Sequence, residues 1–280
     1  MPGYGVGVTD RRAAAARFLP DDPATLEVRS GQFHDVVIGA EHVVCFARTP
    51  AAAERLPRRA ARLRAVSALR LGFATPEVLA SGGSHLVLSR VPGRPLDAPA
   101  GPVVAAQYAE LLSALAAADG AGLPSAPPDE WPTFADDVRA ELFPLMSGPG
   151  RERAEAELAA VQALPPTTNA VVHGDLGSEN VLWETVDGVP RLSGVIDWDE
   201  VAVGDQAVDL AAIAAGHGRA LFDRLLESMG RPAGLDARIE AIRGTFALQQ
   251  ALSAVRDGDQ AELDDGLVGY RGEANHHRAL

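Results

Sequence analysis

The sequence predicts an α+β protein in two lobes: a small β-rich N-terminal lobe, residues 1–91, and a larger, mainly helical lobe, residues 92–280. Three observations carry this expectation. Short strand-like runs divided by turn signals crowd into the first lobe, with one long helix among them. Pro92-Gly93-Arg94-Pro95 then breaks regular structure. Beyond it, apolar residues recur at helical spacing, interrupted by one polar loop between short strands, from Val171 to Asp199.

The elements follow in order. The first 25 residues are Ala-rich, with a short helix near Arg11 to Phe18 that Pro20 and Pro23 end. Leu26 to Arg29, Asp35 to Ile38 and His42 to Ala47 read as strands, with turns at Ser30–His34 and Gly39–Glu41. Arg48-Thr49-Pro50 leads into a basic helix, about Ala51 to Leu71. Its Leu56, Leu63, Val66 and Leu69 make an apolar face, which favours packing on a sheet over nucleic-acid binding. Pro76 keeps Thr75 to Leu79 extended, Ser81–Ser84 is a turn, and His85 to Val91 is a strong strand.

In the second lobe, Val103 to Ala118 is helical, residues 120–130 form a Pro- and Gly-rich loop, and Phe134, Val138, Leu142 and Leu145 mark a further amphipathic helix. Arg151 to Ala163 is another. Asp205 to Ala215, with Asp205 near its N-cap, Leu221 to Met229 and Leu235 to Val255 complete the helices. His276-His277 in the tail offers only a weak metal signal.

Composition narrows the classes. The chain is 47% hydrophobic, enough for a sizeable core, and its net charge is −13. That charge argues against nucleic-acid or anionic-membrane partners and suits a cationic ligand. Cys45 is the only cysteine, so no intrachain disulfide forms and a reducing compartment fits. No run of about 18 apolar residues occurs, and no apolar core follows Arg11-Arg12, so a cytoplasmic protein is expected.

The chemistry concentrates in Val171-Val172-His173-Gly174-Asp175-Leu176-Gly177-Ser178-Glu179-Asn180-Val181-Leu182-Trp183. Asp187-Gly188 signals a hairpin turn, and the returning strand, about Arg191 to Ile196, ends in Asp197. Two carboxylates and a carboxamide thus meet at one end of a hairpin. Phosphoryl transfer needs such a set: one carboxylate, Asp175, to orient and deprotonate a hydroxyl, and an oxygen pair, Asn180 and Asp197, to hold Mg2+ against nucleotide phosphates. Asn180 lies five residues after Asp175, as in the protein-kinase loop that this stretch resembles. His173 fits better as a brace for the loop than as a proton carrier.

Glycine rather than arginine after the histidine makes the stretch resemble the aminoglycoside phosphotransferase family more than protein kinases. So does Ile196-Asp197-Trp198 followed by Gly204-Asp205 and Asp209-Leu210. Four more stretches resemble the branch of that family that acts on tuberactinomycins, of the viomycin and capreomycin type. They are Gly31-Gln32-Phe33-His34, Val43 to Arg48, Glu141 to Met146 and Arg243 to Gln250.

The resemblance implies a bilobal protein-kinase-like fold and ATP-dependent phosphorylation of a hydroxyl on a small cationic cyclic peptide antibiotic, conferring resistance. It implies a turn carrying Gly31 and His34 over the ATP phosphates, and a hinge strand, Ser89, Arg90 and Val91, that bonds the adenine. The substrate's positive groups would meet Asp199 and Glu200, or Glu130, Asp136 and Asp137; the state would be monomer or homodimer.

One departure stands out. The phosphate-binding lysine of the third strand falls at Cys45, and the chain contains no lysine. The replacement must be an arginine or a histidine; Arg48, with Glu54 as partner, is the candidate, while Arg59 falls near the place of the helix glutamate. Two alternatives stay open: a kinase of an aminoglycoside or macrolide hydroxyl, and a non-catalytic nucleotide-binding homologue, which Cys45 favours.

Overall fold

The computed structural model describes residues 8–31, 33–97 and 101–272. Gln32 and the His276-His277 pair lie outside the described residues. The architecture is the expected bilobal kinase-like one: a five-stranded antiparallel sheet, then a mainly helical region.

Helix α1 (Val8–Ala15) precedes strands β1 (Glu27–Ser30), β2 (His34–Ile38) and β3 (His42–Ala47), then the long helix α2 (Pro50–Ala68), then β4 (Val78–Gly82) and β5 (His85–Ser89). The sheet order is β1-β2-β3-β5-β4, so β3 is its middle strand. Alternation along β3 sorts its side chains. Val44 and Phe46 bury with Ala15, Leu19 and Leu26 on the α1 side, whereas Cys45 and Ala47 face the core that α2 closes. Cys45 therefore looks toward α2.

Thr49 caps α2 by accepting the Ala52 N–H at 3.1 Å, and Pro50 occupies the first turn. Its buried stripe is Ala52, Leu56, Ala60, Leu63 and Val66. Arg59 sits on the flank of that stripe, half-buried rather than solvated.

The second region contains α3 (Gly101–Ala117), α4 (Glu130–Glu141), α5 (Gly148–Gln162), α6 (Ala207–His217), α7 (Arg219–Ser228), α8 (Leu235–Gly244), α9 (Phe246–Asp257) and α10 (Gln260–Gly266). Two small antiparallel ribbons are set among them: β6 (Ala170–Val172) with β9 (Ala202–Gly204), and β7 (Val181–Val186) with β8 (Val189–Val195). Asp187 and Gly188, at φ 52° and 77°, make the expected two-residue turn of β7–β8. Asp205 lies, as expected, next to the N-cap of α6, which is Gln206, and accepts the Ala207 N–H at 3.0 Å.

Leu235 to Val255 is two helices rather than one. The α8 residues Ile239 and Ile242 bury in the main core, and the α9 residues Leu248, Ala251 and Leu252 in a second one, so the chain turns at Gly244-Thr245. Thr245 stabilises the turn by donating its hydroxyl to Ile242 O at 2.7 Å. Leu145, expected on the apolar face of α4, is 42% exposed, because α4 ends at Glu141 in a 3-10 turn.

The lobes are stitched at the hairpin. Ala74 and Val195 exchange backbone bonds with the two segments, Ala74 N–H to Ser193 O and Val195 N–H to Ala74 O, and Arg94 pairs with Trp183 in both directions. The hairpin that carries the polar loop is thus fixed to the chain entering and leaving β4–β5.

Candidate active site

His173, Asp175, Asn180 and Asp197 converge. The loop after β6 is held from below by Asp209 on α6, a fully buried carboxylate. Its two oxygens accept the backbone N–H groups of His173 at 2.8 Å and Gly174 at 2.9 Å. Gly174 has φ +89°, and a Cβ there would come 2.7 Å from Glu200 O, so only glycine fits between these two segments.

His173 is fully buried, and its ring packs on Trp198 with centroids 4.6 Å apart. Nε2 donates to Ile196 O at 2.9 Å, and Nδ1 accepts the Asp175 N–H at 3.2 Å. Both ring nitrogens are occupied, so the imidazole ties the two loops together and has no lone pair left for substrate.

The Asp175 side chain is exposed at the loop's tip. Asn180 directs its amide nitrogen to Asp175 O at 2.8 Å and Oδ2 at 3.1 Å. Partial burial raises the Asp175 pKa; the carboxylates of Glu179, Asp197 and Glu200 push it the same way, against the Asn180 bond.

Because the Asn180 nitrogen is committed to Asp175, its Oδ1 is the atom available to a cation. The Ile196 N–H bonds Asn180 O at 2.9 Å, which sets Asp197, the next residue, beside it. Asp197 has φ 64°, uncommon for a non-glycine residue and a mark of a constrained site. Among the described residues no group of three or more His, Cys, Asp and Glu is arranged for a metal. The two oxygens available here, Asn180 Oδ1 and the Asp197 carboxylate, are the kind of donor set Mg2+ takes, with one or two protein oxygens and a shell completed by phosphates and water.

A cleft of about 260 Å3 lies between the sheet and the hairpin, lined in part by Val36, Val43, Cys45, Leu88, Leu182 and Ile196. Ser89, Arg90 and Val91 border it, as does Asp197. Gly31 and His34 flank the turn at the other end of β2, where Gly31 N–H bonds His34 O at 2.9 Å. Burial and the neighbouring Arg59 lower the His34 pKa to about 4, so at neutral pH it is not a cation.

Several expected contacts are corrected. Arg48 does not pair with Glu54: it donates to Gly31 O at 2.6 Å and lies 3.8 Å from Asp35, strapping the β1–β2 turn, outside the residues that line the cleft. Asp199 is not free for a substrate cation, because Arg59 Nε approaches it to 3.0 Å, though the N–H is not aligned as a hydrogen bond. Asp137 pairs with Arg256 at 2.6 Å, and Asp136 with Arg139 at 3.4 Å.

Glu130 stands in a separate hollow with Asp205 and Arg238. The antiparallel β6–β9 ribbon places Asp205 beyond Gly204, opposite Ala170, at the end away from His173. Glu200 alone of the five acidic candidates lies beside the loop without a charged partner assigned to it. Sequence reasoning missed Glu179, which is exposed next to Asp175, and the anchoring role of Asp209; the Asp209-Leu210 pair was the signal for the second.

Comparison with known proteins agrees with this geometry. The family model described as the APH phosphotransferase enzyme family matches residues 26–265. A viomycin phosphotransferase of Streptomyces vinaceus is 59% identical over 94% of this chain and 99% of its own. Among solved structures, macrolide 2'-phosphotransferase type I superposes with a TM-score of 0.75 at 24% identity, covering 95% of this chain and 98% of that one. The GDP complex of wild-type aminoglycoside 2'-phosphotransferase-IIIa gives 0.73 at 19% identity, covering 94% and 97%.

Proposed function

Because the chain belongs to the APH phosphotransferase enzyme family, we propose that it transfers the γ-phosphoryl group of ATP to a hydroxyl of a cationic cyclic peptide antibiotic of the viomycin type, and so confers resistance. The observation that carries the substrate class is the 59% identity to viomycin phosphotransferase over nearly the whole of both chains. The acidic net charge of −13 suits that substrate.

In this reading residues 1–91 hold the nucleotide, with the adenine against the backbone of Ser89 to Val91, and residues 92–280 supply the loop and the peptide site. Asp175 orients the acceptor hydroxyl and takes its proton as the new P–O bond forms and the bond to the β-phosphate bridging oxygen breaks, releasing ADP. His173 keeps the loop in place. Asn180 Oδ1 and the Asp197 carboxylate would hold Mg2+, which screens the phosphate charge when bound. No helix among the described residues is long and apolar enough to cross a membrane, and the single, reduced cysteine fits work in the cytoplasm, where ATP is available.

The test is production of ADP by the whole protein with viomycin, kanamycin or a macrolide as acceptor. Turnover with viomycin at a kcat/KM well above the other two is expected. Turnover only with kanamycin or the macrolide, or none with any acceptor, would overturn the assignment.

Two predictions concern the acids around Asp175. Glu200→Gln should raise KM for the cationic peptide by about three- to tenfold, the worth of one partly exposed charged contact, and leave KM for ATP alone. Added salt should shrink the difference. Equal changes in both KM values would make Glu200 a fold residue instead.

Asp175 must be ionised to accept a proton, so the rate falls as pH drops through its raised pKa. Glu179 is the largest of the carboxylate contributions to that rise. Glu179→Gln should therefore lower the Asp175 pKa and move the acid limb of the kcat profile to lower pH. An acid limb that stays in place would detach Glu179 from Asp175.

A further inference from the structure

A nucleotide in this cleft needs a cation at its α- and β-phosphates, and the strand position that faces α2 offers none. Cys45 is 4% exposed, and burial raises its thiol pKa, so it stays neutral. With no lysine in the chain, the cation must come from another element.

Four arginines border the cleft: Arg29, Arg59, Arg90 and Arg94. Arg29 is on β1 and pairs with Glu27 at 2.7 Å, while Arg90 donates to Gly39 O at 2.9 Å at the sheet's far turn. Arg94 lies in the segment that bridges to Trp183. Arg59 alone reaches both Cys45 and Asp197, and its side chain is only 15% exposed. Its Nη1 donates to His34 Nδ1 at 3.0 Å, behind the β1–β2 turn. Its Nη2 is 3.3 Å from Asp197 Oδ1, and its Nε is 3.0 Å from Asp199. The guanidinium therefore spans the gap between that turn and the acidic strand end.

We propose that Arg59, projected from α2, is the residue that binds the donor nucleotide's phosphates in place of the missing strand lysine. The pair is reversed in polarity: the helix supplies the cation and Asp199, after the hairpin, supplies its counter-ion. Nη1 is fixed by His34 and Nε sits against Asp199, so Nη2, which has only the long contact to half-exposed Asp197, is the donor left for a phosphate oxygen. A planar guanidinium suits this task, because its several N–H groups meet a counter-ion and a phosphate together. His34 does not share the phosphate charge, because its pKa is well below neutral; it orients Arg59 instead.

The inference rests on the phosphotransfer reading, and its test separates the two. Affinities of the whole protein for ADP and for adenosine are measured by calorimetry without divalent metal. Adenosine reports the hinge and the packing of the lobes, whereas ADP adds the phosphates. Arg59→Met should weaken ADP by about 10- to 100-fold, the worth of a hydrogen bond to a charged group, and leave adenosine within about twofold. Arg59→Lys, which keeps the charge but loses the fork, should weaken ADP by about threefold. Equal losses for the two ligands would show that Arg59 only clamps the lobes, and no loss would remove it from the site; either overturns the proposal. If Arg59→Met does not fold, Arg59→Lys is read in the same way, a loss confined to ADP supporting the proposal. A parent protein that fails to bind ADP with Mg2+ present as well as without it overturns the phosphotransfer reading itself.

Discussion

Asp175→Asn is expected to lower kcat by roughly 10²- to 10⁴-fold, the range for loss of a positioned general base. The substitution keeps shape and removes one property, the capacity to take a proton. Nucleotide affinity should stay within about twofold, because the cleft residues from Val36 to Val91 are untouched. Thermal stability should not fall. The Asp175 pKa is raised in the folded chain, so the folded state disfavours the ionised form, and a neutral amide relieves that strain. The experiment pairs steady-state kinetics with a calorimetric ADP titration and a melting curve. A kcat within about threefold of the parent would remove Asp175 from the role, and a collapse in stability would make it a structural residue.

The loop that brings His173, Asp175 and Asn180 together was legible in the sequence because its signals are local. A histidine, a glycine with positive φ and an aspartate must be neighbours in the chain to form this loop, and Asn180 must follow within one short turn. The β7–β8 hairpin was legible for the same reason: Asp187-Gly188 carries its own backbone preference. Four of the five strands were placed to within a residue or two, because β-branched runs such as Val43-Val44 alternate between faces whatever lies beyond them. The fifth, β4 (Val78–Gly82), lies three residues beyond the extended Thr75–Leu79 segment and takes in Ser81 and Gly82, expected as turn, because pairing with β5 holds them in the sheet.

What depended on distant partners was not legible. Whether an acid is free or spent is decided by the arginine opposite. Asp137 meets Arg256, 119 residues on, and Asp199 meets Arg59, 140 residues back, so neither spacing could announce the pairing. Arg48 and Arg59 illustrate the same limit. Both are arginines near the strand that lacks a lysine, yet β3 ends in a way that turns Arg48 toward Gly31, while two further turns of α2 bring Arg59 over Cys45. The break between α8 and α9 comes from two separate cores pulling on one amphipathic stretch, and α10 is held by its packing on α9.

Asp209→Ala is expected to damage both stability and turnover, and it tests how the loop that carries Asp175 is held. Asp209 is fully buried and accepts two backbone N–H groups, those of His173 and Gly174. Neither N–H has another partner assigned to it. Removing the carboxylate leaves two buried donors unpaired, at about 1–3 kcal/mol each, so a loss of roughly 2–6 kcal/mol is expected. In a chain of this size that corresponds to a fall in melting temperature of about 5–20 °C. Turnover should fall by about 10²-fold or more, because Asp175 follows directly on the two residues released, and a small displacement of a catalytic group is costly. ADP affinity, set across the cleft, should change little. Asp209→Asn separates hydrogen bonding from volume. It fills the same space and keeps one oxygen, but it turns an NH2 group against the second N–H, donor against donor. If Asp209 matters through these two bonds, Asp209→Asn should lose stability and kcat almost as severely as Asp209→Ala. If it matters as filler, Asp209→Asn should resemble the parent in both, and the account of the loop as hung from α6 by two N–H bonds would fail.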